Sequence, residues 1–417
     1  MNFQEEIALL FGVTAAFAYL NHYLLRLPRN SGLLILALIA AVIVRLVTEQ
    51  FPWVGIGGAV RDTLARIDFA GLLLKGFLAF LLFASALDLD VRVLWSRKWT
   101  ILALATIGVV ISSLAIAAAM FWVFRFAGIP VPFGYCLVFG ALISPTDPVT
   151  VADVLERLGV PAELRGIIAG ESLFNDGIGI VLYTLFLQFA LDTGGSVSVA
   201  AASLDFVREA GGGALLGLVA GGLAFAAMRG IDEYNIELMI SLTLVTGTFG
   251  LAETIGVSGP VAVVVAGLVI GSIGVRYGAS AVTRDYLQRF WSLIDELLNA
   301  LLFLLIGLEF AVIALHWSYG IAAGLAVLVS LAARGLSIVV AGLPLNLGRP
   351  NKLRTMAMLT WGGLRGGIAV ALALSLPPSP YREPLITTCY GVVIFTMVVQ
   401  GLSLKRVAAG LYPPLED

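Results

Sequence analysis

Charge is what this chain has least of. Only 12% of its 417 residues are Asp, Glu, Lys or Arg, against about 25% in soluble domains, which excludes an ordinary water-soluble globule. Cysteine and histidine number 2 each. Cys136 and Cys389 both lie in apolar runs and read as small buried hydrophobes, so neither a disulfide framework nor a zinc cluster can be assembled. No run of basic residues supplies the footing of a nucleic-acid site. The first residues also lack the basic region and small-residue cleavage site of a signal peptide, and Glu5 and Glu6 lead into an apolar stretch read as the first membrane span.

What remains is apolar. Hydrophobic residues make up 59% of the chain and the mean hydropathy is +0.99, the signature of a polytopic membrane protein. Glycine, at 46 residues, suits helices that pack closely in lipid. With a ruler of about 20 apolar residues per span, the sequence divides into thirteen predicted spans: 5–25, 31–48, 69–87, 99–124, 133–157, 165–190, 208–228, 236–254, 259–276, 290–314, 319–342, 354–376 and 384–409. Lys and Arg in alternate loops number sixteen on one side and six on the other. The excess predicts an outside N-terminus and a cytoplasmic C-terminus.

Thirteen spans permit an internal symmetry: spans 1–6 and 8–13 as two inverted six-helix repeats, with span 7, glycine-rich from Gly211 to Gly222, as connector. Span 5 then corresponds to span 12, and both look broken. Span 5 carries Ser144-Pro145-Thr146-Asp147-Pro148, and span 12 reads Trp361-Gly362-Gly363-Leu364-Arg365-Gly366-Gly367. Interrupted helices at matching places in two halves point to a midplane binding site.

Ionisable groups at that depth are costly and read as functional. Pro148 suits the first position of a second half-helix, which leaves Asp147 as its N-cap and the unwound carbonyls at Ser144 to Thr146 open to a cation. In span 6 the sequence Gly170-Glu171-Ser172-Leu173-Phe174-Asn175-Asp176-Gly177 places Ser172 and Asp176 on one helical face and Glu171 and Asn175 on another, turned by about 100°. Glu171 needs a countercharge, and of the intramembrane arginines Arg334 and Arg365, Arg334 is the expected partner. Asp176 is the expected working acid, with Asp147, Ser172 and Thr146 as co-ligands. An oxygen-rich site without nitrogen or sulfur ligands suits a hard monovalent cation. A carboxylate that holds either a proton or a cation, never both, couples the two flows. Since Asn175 is neutral, one charge moves per cycle, which predicts electroneutral one-for-one exchange. Arg365 either lines the break of span 12 or supports packing.

The segments SPTDPV, GESLFNDG and GGLRGG, with SGPVAVVVAGLVIG at Ser258 to Gly271 and FLLIGLEF at Phe303 to Phe310, together resemble the sodium/proton exchanger family, in its prokaryotic NhaP-like branch. The likeness runs from about span 3 to span 13. It implies a homodimer of thirteen-helix protomers in a prokaryotic plasma (inner) membrane, surrounded by lipid and needing no cofactor. It implies a mobile core of about 99–190 and 319–409 that moves like an elevator, and a dimerisation part of about 1–98 and 208–318. The residue matching Asp176 is the essential ion-binding aspartate, with Asp147, Ser172 and the Thr146 main chain nearby; the residue matching Glu171 bridges Asn175 and Arg334. The cargo is sodium or lithium against protons, with potassium as the alternative cation. The chain departs from many relatives at Phe83-Ala84-Ser85-Ala86, where they carry an acid; Asp88 and Asp90 are the nearby candidates to replace it. It also ends without the long regulatory tail of animal exchangers.

Two other classes fit less well. An intramembrane aspartyl protease would need a GxGD motif that is absent here, and a cation channel would need rings of carbonyls or charges from repeated subunits. The remaining polar residues are expected to be structural. Glu253 and Glu309 read as solvated span ends, Lys75 as snorkelling, and Trp53, Trp95 and Trp99 as belt anchors. His22 and His316 also sit near span ends. Tyr286 to Asn299, with Arg289, Trp291, Asp295 and Glu296, reads as an interfacial lead into span 10.

Overall fold

The computed structural model describes residues 3–51, 53, 55–89, 91–147, 151, 155, 160–191, 199–231, 233–274, 281–314, 316–342 and 352–412. Among the described residues the regular structure is entirely helical. Ten helices are long and apolar enough to cross a membrane: Ile7–Leu25, Arg29–Gln50, Val60–Leu87, Lys98–Phe126, Ala162–Leu191, Ser203–Met228, Tyr234–Ile255, Arg284–Glu309, Trp317–Gly342 and Arg382–Leu411. Three shorter apolar segments fill the remaining places in the order read from the sequence. Span 5 begins as Phe133–Ile143, span 9 is Gly259–Ser272, and span 12 is split into Lys352–Trp361 and Gly367–Leu374.

The boundaries differ where charge misleads the hydropathy ruler. Span 3 is preceded by a helix at Ile56–Ile67 that Arg61, Asp62 and Arg66 hide from an apolar count. The two are joined at Asp68, whose left-handed backbone (φ 41°) turns the chain while its carboxylate accepts from the Gly71 N–H at 3.2 Å. Span 10 is a single helix from Ala281 to Glu309. Tyr286 to Asn299 is therefore the middle of that helix rather than a separate lead into it. Trp291 shows why: it is 1% exposed, lies 4.6 Å from the Phe83 ring, and donates its indole N–H to Ser241 Oγ at 3.1 Å. A tryptophan with its one donor satisfied can be buried whole.

The spans form two packed groups. Spans 4, 5, 6, 11, 12 and 13 pack on one another, span 11 lying against both span 4 and span 13. Spans 2, 3, 7, 8, 9 and 10 pack around span 9 and along the span 2–span 10 pair. Span 7 explains its glycines here. A side chain at Gly213 would press on the Ser258 carbonyl at 2.5 Å and one at Gly221 on Val269 at 3.0 Å, so the bare stripe lets span 7 lie directly on span 9.

The other expectations divide. Cys136 and Cys389 are buried and free, and Trp53, Trp95 and Trp99 are exposed near helix ends. Glu253 and Lys75 are exposed. Glu309 is not a solvated end: it is 8% exposed at the C-terminus of span 10, which stops there instead of continuing to residue 314.

Candidate functional site

Two helix breaks meet at the centre of the first group. Span 5 loses helical geometry after Ile143 and span 12 after Trp361, as two prolines in one and four glycines in the other require. The freed backbone groups pair across the gap. The Asp147 N–H donates to the Leu364 carbonyl at 2.8 Å. In return the Arg365 guanidinium donates to the carbonyls of Ser144 at 2.5 Å and Pro145 at 3.0 Å. Irregular backbone inside a membrane must be satisfied by protein, and here each repeat satisfies the other.

This settles Arg365, which lines the break with its side chain fully buried at 1% exposure. It also corrects the reading of the carbonyls at Ser144 to Thr146 as open to a cation, since the first two are held by arginine. Pro148 lies outside the described residues. The helix start that Asp147 does face belongs to span 12: Gly366 caps Gly367–Leu374, and a Cβ there would lie 2.7 Å from the Asp147 Cβ. Only glycine leaves that space. Gly366→Ala is expected to cost about 1–3 kcal/mol through overpacking, read as a lowered thermal midpoint in detergent.

Span 6 supplies the acids, and it divides them as the helical spacing requires. Glu171, fully buried, forms a two-pronged ion pair with Arg334 of span 11, the Nη2–Oε2 arm measuring 2.9 Å. The same guanidinium donates through Nε to the Leu359 carbonyl at 3.3 Å, which ties in span 12. Asn175 does not bridge to Glu171. Its amide donates to Thr146 Oγ1 at 2.9 Å and accepts the Thr146 N–H at 3.2 Å, a closed pair that fixes the unwound residue. Ser172 completes the cradle, with its Oγ 2.9 Å from Thr146 Oγ1. Asp176, one turn after Ser172, is 8% exposed and opens onto a cleft shared with Asp147 and Thr146. Among the described residues no cation pairs with Asp176.

Several supporting residues escaped the sequence reading. Thr396 accepts the Arg365 N–H at 3.2 Å, and Gln400 donates to the Trp361 carbonyl at 3.0 Å, so span 13 backs the break of span 12. Both lie in a π-helical turn, Thr396–Gln400, a local widening found often at functional sites. Ser113 of span 4 donates to Ser144 Oγ at 2.9 Å. Polar residues at helical spacing in an apolar span were the available signal. Asp295 and Asn299 of span 10 also line the cleft.

Two broken helices crossing inside a bundle of apolar spans, with acids from a neighbouring helix beside the crossing, fit a membrane transporter of the inverted-repeat kind. The chain belongs to the sodium/hydrogen exchanger family: the family model described as "Sodium/hydrogen exchanger, transmembrane" matches residues 12–410. It is 43% identical over 419 residues to the Na(+)/H(+) antiporter NhaP of Pseudomonas aeruginosa, covering 99% of this chain and 98% of that one. It is 35% identical to the Na(+)/H(+) antiporter NhaH of Halobacillus dabanensis, covering 88% and 90% respectively. In fold it is similar to the sodium proton antiporter MjNhaP1 of Methanocaldococcus jannaschii, with a TM-score of 0.74 at 21% identity over 99% of both chains.

Proposed function

We propose that this protein exchanges sodium or lithium for protons across a prokaryotic plasma membrane by secondary active antiport. One observation carries the reading. Of the two buried acids of span 6, Glu171 is neutralised by Arg334, whereas Asp176 faces the cleft with no cationic side chain paired to it among the described residues. A carboxylate in such a place must be neutralised by something that enters from solvent, and a proton and a monovalent cation compete for it. Asp147 and Thr146 line the same cleft, and Ser172 bonds Thr146 behind it, which supports them as the further oxygen ligands. The names of the NhaP and NhaH relatives support sodium as the cation, with potassium the alternative.

The movement that carries the ion is an elevator-like shift of spans 4–6 and 11–13 against the rest. The reading is supported by the bonds that hold that group together, Glu171 to Arg334 and Arg365 to span 5, all of which lie within it. The second group supplies the homodimer contact, and the N-terminus faces outward. The test is proteoliposomes holding purified protein under an imposed pH gradient. Sodium or lithium is expected to collapse the gradient; no collapse with either, or with potassium, ends the proposal. Clamping the membrane potential at different values is expected to leave the rate unchanged, and a potential-dependent rate would rule out one-for-one exchange.

A further inference from the structure

Span 13 reaches the crossing of the two breaks through the side chain of Thr396. This residue is 2% exposed and is the first of the π-helical turn Thr396–Gln400. The Arg365 N–H donates to Thr396 Oγ1 at 3.2 Å, and the hydroxyl hydrogen lies between the carbonyls of Arg365 at 3.3 Å and Val393 at 3.0 Å. A threonine inside a helix ordinarily bonds back to its own helix alone. Here it also grips both backbone groups of a residue in another span. Arg365 stands between the pairs Gly362-Gly363 and Gly366-Gly367, so the backbone around it has little stiffness of its own. Its position depends on what holds it.

The consequence lies at the other end of the same arginine. Arg365 Nη1 donates to two consecutive carbonyls of span 5, Ser144 at 2.5 Å and Pro145 at 3.0 Å, immediately before Thr146 and Asp147. A carbonyl oxygen aimed at a guanidinium is withheld from a cation. The oxygens that remain beside Asp176 are few: Asp147 and Thr146 line the cleft with it, and Ser172 bonds Thr146. Ligand number and cavity size separate hard cations, since a small ion is satisfied by few close oxygens and a larger one gains from more. A short oxygen set favours lithium and sodium. Two further carbonyls would move the balance toward potassium.

Resting on the antiport reading above, we infer that Thr396 is a positioning residue that sets cation preference: it fixes Arg365, which withholds the Ser144 and Pro145 carbonyls from the ion. Among the described residues that line the cleft, neither Thr396 nor Arg365 is found. Both act through the backbone of span 5. A clamp of purely structural value would weaken every cation alike, whereas this one changes their order, because freed carbonyls reward the larger ion.

Thr396→Val keeps the shape of the side chain and removes the hydroxyl. In proteoliposomes under an imposed pH gradient, given lithium, sodium or potassium in turn, the wild type is expected to show a higher KM for potassium than for sodium. In Thr396→Val the potassium-to-sodium KM ratio is expected to fall about fivefold, the scale of one neutral hydrogen bond, and the potassium-to-lithium ratio at least as far. Thr396→Ser returns the hydroxyl and should restore both ratios. Thermal shifts against the three chlorides should give the same order from binding alone. An unchanged ratio, a parallel rise of KM for all three cations, a loss of kcat alone, or a wild type that takes sodium and potassium equally overturns the proposal while leaving antiport standing. Wild-type liposomes silent to every cation would instead remove the antiport reading itself. Should Thr396→Val fail to assemble, Arg365→Lys decides: its ammonium is a point charge without the guanidinium fork, the same fall in ratio is expected, and an unchanged ratio there overturns the clamp.

Discussion

Asp176→Asn abolishes sodium- and lithium-driven collapse of a pH gradient, down to the level of liposomes without protein, and the variant remains folded. The two halves of that expectation have one cause. Asp176 is buried with no paired cation among the described residues, so its charge contributes nothing to the fold that an isosteric amide would lose. Asparagine keeps the shape but can neither release a proton nor neutralise a cation. A thermal-shift series adds an independent readout. A ligand that binds only the folded state raises the midpoint with concentration, so sodium should stabilise the wild type and leave Asp176→Asn unmoved. Retained exchange in the variant, or an unaltered sodium shift, would remove Asp176 from the site.

The opposite outcome is expected one turn away. Arg334→Ala strands Glu171 in the interior and is expected to cost about 3–5 kcal/mol, a large part of the roughly 5–15 kcal/mol that holds a typical protein folded. Loss of a monodisperse peak in fluorescence-detected size exclusion measures it. The arginine joins three spans, since it pairs with Glu171 of span 6 and donates to Leu359 of span 12 from its own place in span 11. Removing both charges in Glu171→Gln with Arg334→Ala should recover much of the loss, because the penalty lies in the unpaired partner rather than in the missing attraction. If Arg334→Ala alone behaves as wild type, the pair is not structural.

Much of this was legible because the membrane makes charge informative. Thirteen spans followed from run length, and the division of Glu171 from Asp176 followed from spacing on one helix. The broken spans were visible as proline and glycine at matching places. The failures share a cause too: backbone groups have no letter in a sequence. That Arg365 would take the Ser144 and Pro145 carbonyls, and that Asn175 would turn to the Thr146 backbone, depend on how two helices cross. Trp291 misled through its usual habit, since tryptophans favour the interface until one finds a Ser241 to satisfy its N–H. Asp295 stood in plain view but was read with the charged half of its helix instead of the cleft.

The crossing of the two breaks has a consequence for leakage. At equivalent points the first repeat carries an acid, Asp147, and the second a base, Arg365, and deeper in the same group Glu171 stands against Arg334. These four charges cancel, which leaves Asp176 as the remaining buried charge of spans 4–6 and 11–13 among the described residues. On the proposed exchange, a protonated carrier and a sodium-bound carrier are both neutral and face the same cost in hydrocarbon. An empty, ionised carrier bears one uncancelled charge, and a charge in that medium costs several kcal/mol. The membrane itself then forbids the idle return stroke that would dissipate one gradient without building the other.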